Sequence, residues 1–191
     1  ASPGNETLPS TSLHTRFNDA IEGDLLFFDT YIASIWVCRA IRLVDGGQVK
    51  DKTMDTILDA YVTQWMQRHG PAKILYYDGE KGLDNDAAKK ELNRLGTNLY
   101  VRAPNQHSRL VETRNALLRH TMHVVKEDLS RHGHQIPFQR LLGEAIFAAN
   151  AFTFYNGVSP YNAYTGRQPA CLPDFDTPDH PEAAETSQHE R

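Results

Sequence analysis

The hydrophobic period of this chain changes near Thr53, and that change bounds what the chain can fold into. Before it, apolar residues come in short runs that suit buried strands: Glu22–Phe28, Ile32–Ala40 and Ile41–Lys50. Asp29-Thr30-Tyr31 supplies a turn between the first two, and Gly46-Gly47 suggests a bulge or bend in the third. After it, Met54, Ile57, Leu58, Tyr61, Val62, Trp65 and Met66 recur at helical spacing, which makes one apolar face. Gly70 and Pro71 then stop that helix. Lys73–Tyr77 reads as a strand ending at Asp78, Asp86–Leu95 as a helix stopped by Gly96, and Asn98–Arg102 as a strand. A helical pattern runs from Ser108 to Arg131, and another begins near Pro137, burying Phe138, Leu141, Leu142, Ile146 and Ala149. The order βββαβαβαα predicts an α/β fold with a mixed five-stranded sheet flanked by helices.

The 191 residues suffice for one domain with tails. Residues 1–16 are rich in Ser, Thr, Pro and Gly and are expected to form a flexible leader; 17–171 form the core; 172–191 form an acidic, flexible tail. The first residue is not Met, so a processed product or excised fragment is expected. No apolar run is long enough to span a bilayer, and no membrane partner is expected. Cys38 and Cys171 belong to no CxxC pair, which argues against a cysteine zinc site or a disulfide framework. The formal charge of −4 is uneven. From Leu172 onward six acids face one base, whereas Val101–Arg140 carries seven Lys or Arg against three acids. Net charge therefore neither demands nor excludes DNA.

Three acids stand at informative places: Asp24 in a strand run, Asp78 at a strand end and Glu112 in the first turn of a long helix. Between Asp24 and Asp78 lie 53 residues, and between Asp78 and Glu112 lie 33. Singly, each has an ordinary explanation: a strand end, a turn, and an acid favoured by the helix dipole. Together they could converge on divalent metal, which prefers oxygen ligands and serves phosphodiester chemistry. The pairs His120/His123 and His132/His134 have spacings compatible with metal, but no third ligand of the right type accompanies them.

Four segments, in order, resemble the catalytic core of retroviral and retrotransposon integrases, a branch of the ribonuclease-H-like superfamily. They are RFNDAIEGDLLFF, HGPAKILYYDGEKGL, APNQHSRLVETRNALLRH and NGVSPYNAYTGRQP, and the resemblance runs from about Phe17 to Pro169. Departures are local. Ser108-Arg109 stand where the family usually has Asn-Gly, Thr113 follows the glutamate where Arg is common, and Gly79-Glu80 follow the second Asp. Neither the zinc-binding module that often precedes such cores nor the basic barrel that often follows is recognisable here.

The resemblance implies a DDE site in which Asp24, Asp78 and Glu112 are catalytic and hold two Mg²⁺ ions, with Mn²⁺ as a substitute. Asp24 would bridge both ions. It implies DNA as partner, both element ends and target, with Ser108, Asn115 and Arg119 on the helix face that meets it. A homo-oligomer is implied, through Asp55–Gln67 and the helix in Pro137–Phe154, as are other domains of a polyprotein and a location in the nucleus or an intracellular nucleoprotein particle. The implied function is 3′-end processing and strand transfer of a retroelement. Two alternatives stand beside it: a metal-dependent nuclease of the same fold, and a domesticated, inactive core that serves as a binding or scaffold module.

Overall fold

The computed structural model describes residues 16–78, 82–102 and 109–172. The expected leader and tail, apart from Arg16 and Leu172, and Ser108 lie outside them. Strands β1 (Ala20–Phe28), β2 (Tyr31–Cys38) and β3 (Val44–Val49) form an antiparallel meander. Strand β4 (Ile74–Asp78) lies parallel to β1, and β5 (Asn98–Arg102) lies parallel to β4, giving the order β3-β2-β1-β4-β5. Parallel neighbours need crossover connections, and helices supply them. A continuous helical stretch, α1 (Met54–Ala60), a π-helical turn (Tyr61–Met66) and α2 (Gln67–His69), leads to β4; α3 (Asp86–Arg94) leads to β5. Helices α4 (Arg109–Arg131), α5 (Phe138–Ala151) and α6 (Pro160–Thr165) follow. This is the mixed five-stranded sheet that the sequence predicts.

Strand alternation sends the sheet's side chains into two cores. Ile21, Leu25, Trp36 and Leu75 pack with Ile57, Tyr61, Trp65 and Leu92 on one face. Leu26, Ile35, Val37 and Val44 pack with Val111, Leu118, Met122 and Leu142 on the other. Each large apolar side chain so buried contributes roughly 1.5–3 kcal/mol. Trp36 and Trp65 are both fully buried. Gln64, on the π-helical turn, accepts from the Ser34 hydroxyl at 2.6 Å and from the Trp36 indole at 3.2 Å, so a polar group at that face is satisfied by the sheet.

Several sequence expectations need correction. The register of β2 and β3 runs unbroken through Ile35↔Gly46 and Ser34↔Gly47, so no bulge interrupts β3. The glycines answer to space instead: a Cβ at Gly46 would lie 2.4 Å from the Ser34 carbonyl oxygen, and one at Gly47 would lie 2.9 Å from Gln64 Nε2. Residues Ile41–Leu43, read as strand, precede β3, and Arg42 has a positive φ of 65° there. Pro137 is the N-cap of α5, not a first-turn residue, and Ile146 is half-buried, not core. Helix α6 was missed; it starts on Ser159, whose hydroxyl accepts from Asn162 N, with Pro160 at the first position. Asn150 of α5 also clasps β3, donating to Val44 O and accepting from Val44 N, both at 2.8 Å.

Candidate active site

Alternate residues of β1 face α4, so Glu22 and Asp24 share one side of the sheet while Gly23 faces the other. Gly23 has no room for a side chain: a Cβ would lie 2.5 Å from the Trp36 ring and 2.8 Å from the Tyr77 ring. Asp24 is 9% exposed. Its Oδ1 accepts from Leu25 N at 2.8 Å and its Oδ2 from Asn115 Nδ2 at 2.7 Å. Asn115 is buried on α4, one helical turn after Glu112, which is exposed in the first turn of the same helix.

Asp78 is the last residue of β4. Gly23 stands opposite Tyr77 in the parallel pair, so Asp24 and Asp78 occupy the next position along two neighbouring strands. Such strands run about 4.8 Å apart. The chain thus places Asp24 beside Asp78 in the sheet and ties Asp24 to the helix that carries Glu112. Arg119 lies one turn beyond Asn115 and is half-buried.

Donor chemistry decides which group these residues could hold. Asp24, Asp78 and Glu112 offer carboxylate oxygen alone, the donor set of a hard divalent cation such as Mg²⁺. Among the described residues no three His, Cys, Asp or Glu side chains gather into a metal-binding group, and of this acid set only the Asp24 and Glu112 side chains are among them. The histidines do not gather: His123 packs on the Phe28 ring at 4.7 Å, and His132 Nδ1 lies 2.9 Å from the Asp128 carbonyl oxygen.

Sequence reasoning missed Glu22. It is 3% exposed, and Arg102 Nη2 at 2.7 Å and Arg39 Nε at 3.5 Å lie against its Oε1. Its Oε2 accepts from Val111 N at 3.2 Å, satisfying a first-turn amide of α4 as a capping side chain would. The available signal was an acid inside an apolar run, two residues before Asp24 and therefore on the same strand face.

No protein-family model matches the sequence, and no curated protein matches it. Solved structures do. The chain superposes on a chain of the simian T-cell lymphotropic virus intasome with a TM-score of 0.68 and 16% identity, covering 85% of this chain and 58% of that one. It superposes on the HTLV-2 integrase catalytic core domain, solved in complex with magnesium in a dimeric form, at 0.65 and 14%, covering 76% and 94%. For the catalytic core domain of BIV integrase the values are 0.65 and 14%, covering 78% and 95%. The chain has the fold of retroviral integrase catalytic cores, the ribonuclease-H-like fold. It spans 58% of the intasome chain it matches and nearly all of the isolated cores.

Proposed function

We propose that this chain is an integrase-type polynucleotidyl transferase that trims and joins DNA 3′ ends. One observation carries the reading: the hydrogen bond from Asn115 to Asp24 fastens the Glu112 helix to the strand beside Asp78. On this reading, three acids far apart in sequence serve one site at the end of the β1–β4 pair. The shared fold of integrase cores supports the same reading, and one of those cores was solved in complex with magnesium.

In this proposal Asp24, Asp78 and Glu112 hold two Mg²⁺ ions, or Mn²⁺ in their place. The chemistry such ions supply is activation of an attacking oxygen and neutralisation of charge on the leaving oxygen. The protein's own part is positioning. Asn115 and the Leu25 amide each donate to one oxygen of Asp24, which fixes the carboxylate's plane. Arg119, on the same helix face, meets a phosphate of the DNA end, as does the region of Ser108. Self-association runs through Asp55–Gln67 and the Pro137–Phe154 region, where Phe147, Phe152 and Phe154 are exposed. A protein with this activity would work in the nucleus or in an intracellular nucleoprotein particle.

The test is an assay of the purified chain with Mn²⁺ and a pre-cut DNA end, beside Glu112→Gln. Joined products from the unaltered chain and none from the variant, with equal thermal stability, are expected. Joining by Glu112→Gln would remove the acid assignment, and hydrolysis without joining would mark a nuclease.

A further inference from the structure

Beside the acids, and reached from the same face of β1, is a cavity of about 500 Å³. Five arginines line it: Arg39 and Arg42 around the β2–β3 connection, Arg102 at the end of β5, and Arg109 and Arg114 on α4. One carboxylate, Glu22, faces them and is engaged by Arg39 and Arg102. Among the described residues no carboxylate pairs with Arg42, Arg109 or Arg114. Five guanidinium charges against one carboxylate make the cavity strongly positive, and mutual repulsion on that scale calls for an anion.

Arg114 supplies an independent sign. It is 1% exposed, yet its Nε and Nη1 have no hydrogen-bond partner. Only Nη2 finds an acceptor, the Arg42 carbonyl oxygen at 3.3 Å. The guanidinium lies over the Tyr155 ring, 4.9 Å from its centroid, at the cavity wall. Burial lowers its pKa from the ordinary arginine value. Buried donors are almost always satisfied, so two orphaned on one guanidinium mark a missing acceptor.

We infer that this cavity seats a backbone phosphate of a DNA strand on its way to the acids, an inference that rests on the proposed DNA-processing function. The fork of a guanidinium matches two phosphate oxygens at once, which suits Arg42, Arg109 and Arg114, the three that Glu22 does not engage. The cavity far exceeds a single ion, and its rim, with Arg109 exposed and Arg39 and Arg42 half-buried, opens to solvent as a polymer requires. Position supports the same occupant. Glu22 and Asp24 are two residues apart on one strand, about 6.6 Å, comparable to roughly two axial steps of a DNA strand at about 3.4 Å each. A phosphate held at the arginines therefore leaves the next one or two nucleotides level with Asp24. Arg102, opposite Asp78 in the β4–β5 register, joins the two sites.

The test uses the full chain and a fluorescein-labelled duplex with a recessed end, read by anisotropy across a salt series. Arg42→Ala combined with Arg109→Ala, both away from the core, is expected to weaken binding about tenfold and to flatten the log–log salt slope by about 1. Arg114→Lys, which keeps charge but loses the fork, is expected to weaken binding with unfolding temperature held. A scan of neutral methylphosphonates along the strand is then expected to show one position that costs the unaltered chain affinity and costs the double variant none. Unchanged slope, or no such coupled position, overturns the inference. So does stabilisation of the unaltered chain, but not Arg114→Lys, by inorganic pyrophosphate without a coupled position, since the seat then takes a free anion. None of these readouts needs catalysis. A coupled position in a chain that joins no DNA would sink the transferase reading and leave this one standing; an active chain without a coupled position would do the reverse.

Discussion

Asn115 Nδ2 lies 2.7 Å from Asp24 Oδ2, joining the first half of α4 to the middle of β1. The amide neither titrates nor competes for cations, so it can orient the carboxylate without adding charge. Removing it with Asn115→Ala is expected to lower metal-dependent strand cleavage by about 10- to 100-fold, as loss of a ligand-orienting partner does. A Mg²⁺ titration should show a raised metal requirement while the unfolding temperature falls by only a few degrees. Unaltered metal dependence would leave the hydrogen bond a merely structural role.

Glu22 is expected to matter more for folding than any other acid on this face. Glu22→Gln leaves Arg102 and Arg39 without their buried carboxylate and weakens the acceptor at Val111 N. Breaking one side of a buried ion pair costs about 3 kcal/mol, or roughly 6–12 °C of unfolding temperature for a chain of this size. Hydrogen exchange should rise first in the opening turn of α4.

Gly23→Ala tests packing directly beneath the site. The new Cβ would meet Trp36 at 2.5 Å and Tyr77 at 2.8 Å, both in buried rings. Overpacking of this kind costs about 1–3 kcal/mol. Thermal unfolding and the emission of the buried tryptophans report it, and an unshifted midpoint would show that the rings can move aside.

Acid stability of the helix that opens at Met54 depends on Asp51. The Thr53 hydroxyl, then Thr56 and the Thr53 amide, hold the Asp51 carboxyl at a pKa of about 2, below its ordinary 3.8. A depressed folded pKa gives stability that is present above the ordinary value and is lost as pH falls toward 2. Asp51 is exposed, so the effect is small. The unfolding temperatures of the unaltered chain and Asp51→Asn should differ at pH 5 and converge near pH 2.

The sheet was legible because each element announces itself locally. Tyr61 and Trp65 keep helical spacing, Gly70 with φ of 78° ends the run, and Asn98–Arg102 was delimited to the residue. The strand and helix positions of the three acids were legible, whereas the side-chain contact that ties Asp24 to the α4 helix, from Asn115, spans 91 positions in sequence. What sequence did not disclose depends on such long closures. Glu22 looks like one more residue of an apolar strand until Arg102 arrives from 80 positions away. The five arginines of the cavity come from three separate stretches, and only the fold brings Arg39 and Arg42 to the basic stretch that holds Arg102, Arg109 and Arg114. Gly46-Gly47 misled because a glycine pair suggests a bend, and the reason for it, the crowding of Ser34 and Gln64, lies on other elements.

The two carboxylates on β1 also work as a ruler. Glu22 grips α4 at Val111 and Asp24 grips it at Asn115. Two strand residues advance about 6.6 Å, and four helical residues advance about 6.0 Å. The two lattices, which share no period, are nearly commensurate over this one interval, and Glu112 falls inside it. An inserted or deleted residue between 111 and 115 would swing the helix by about 100° and break the match at one end or the other. The position of Glu112 along β1 is therefore set by counting residues between two anchors, a geometry that tolerates changes of side chain far better than changes of length.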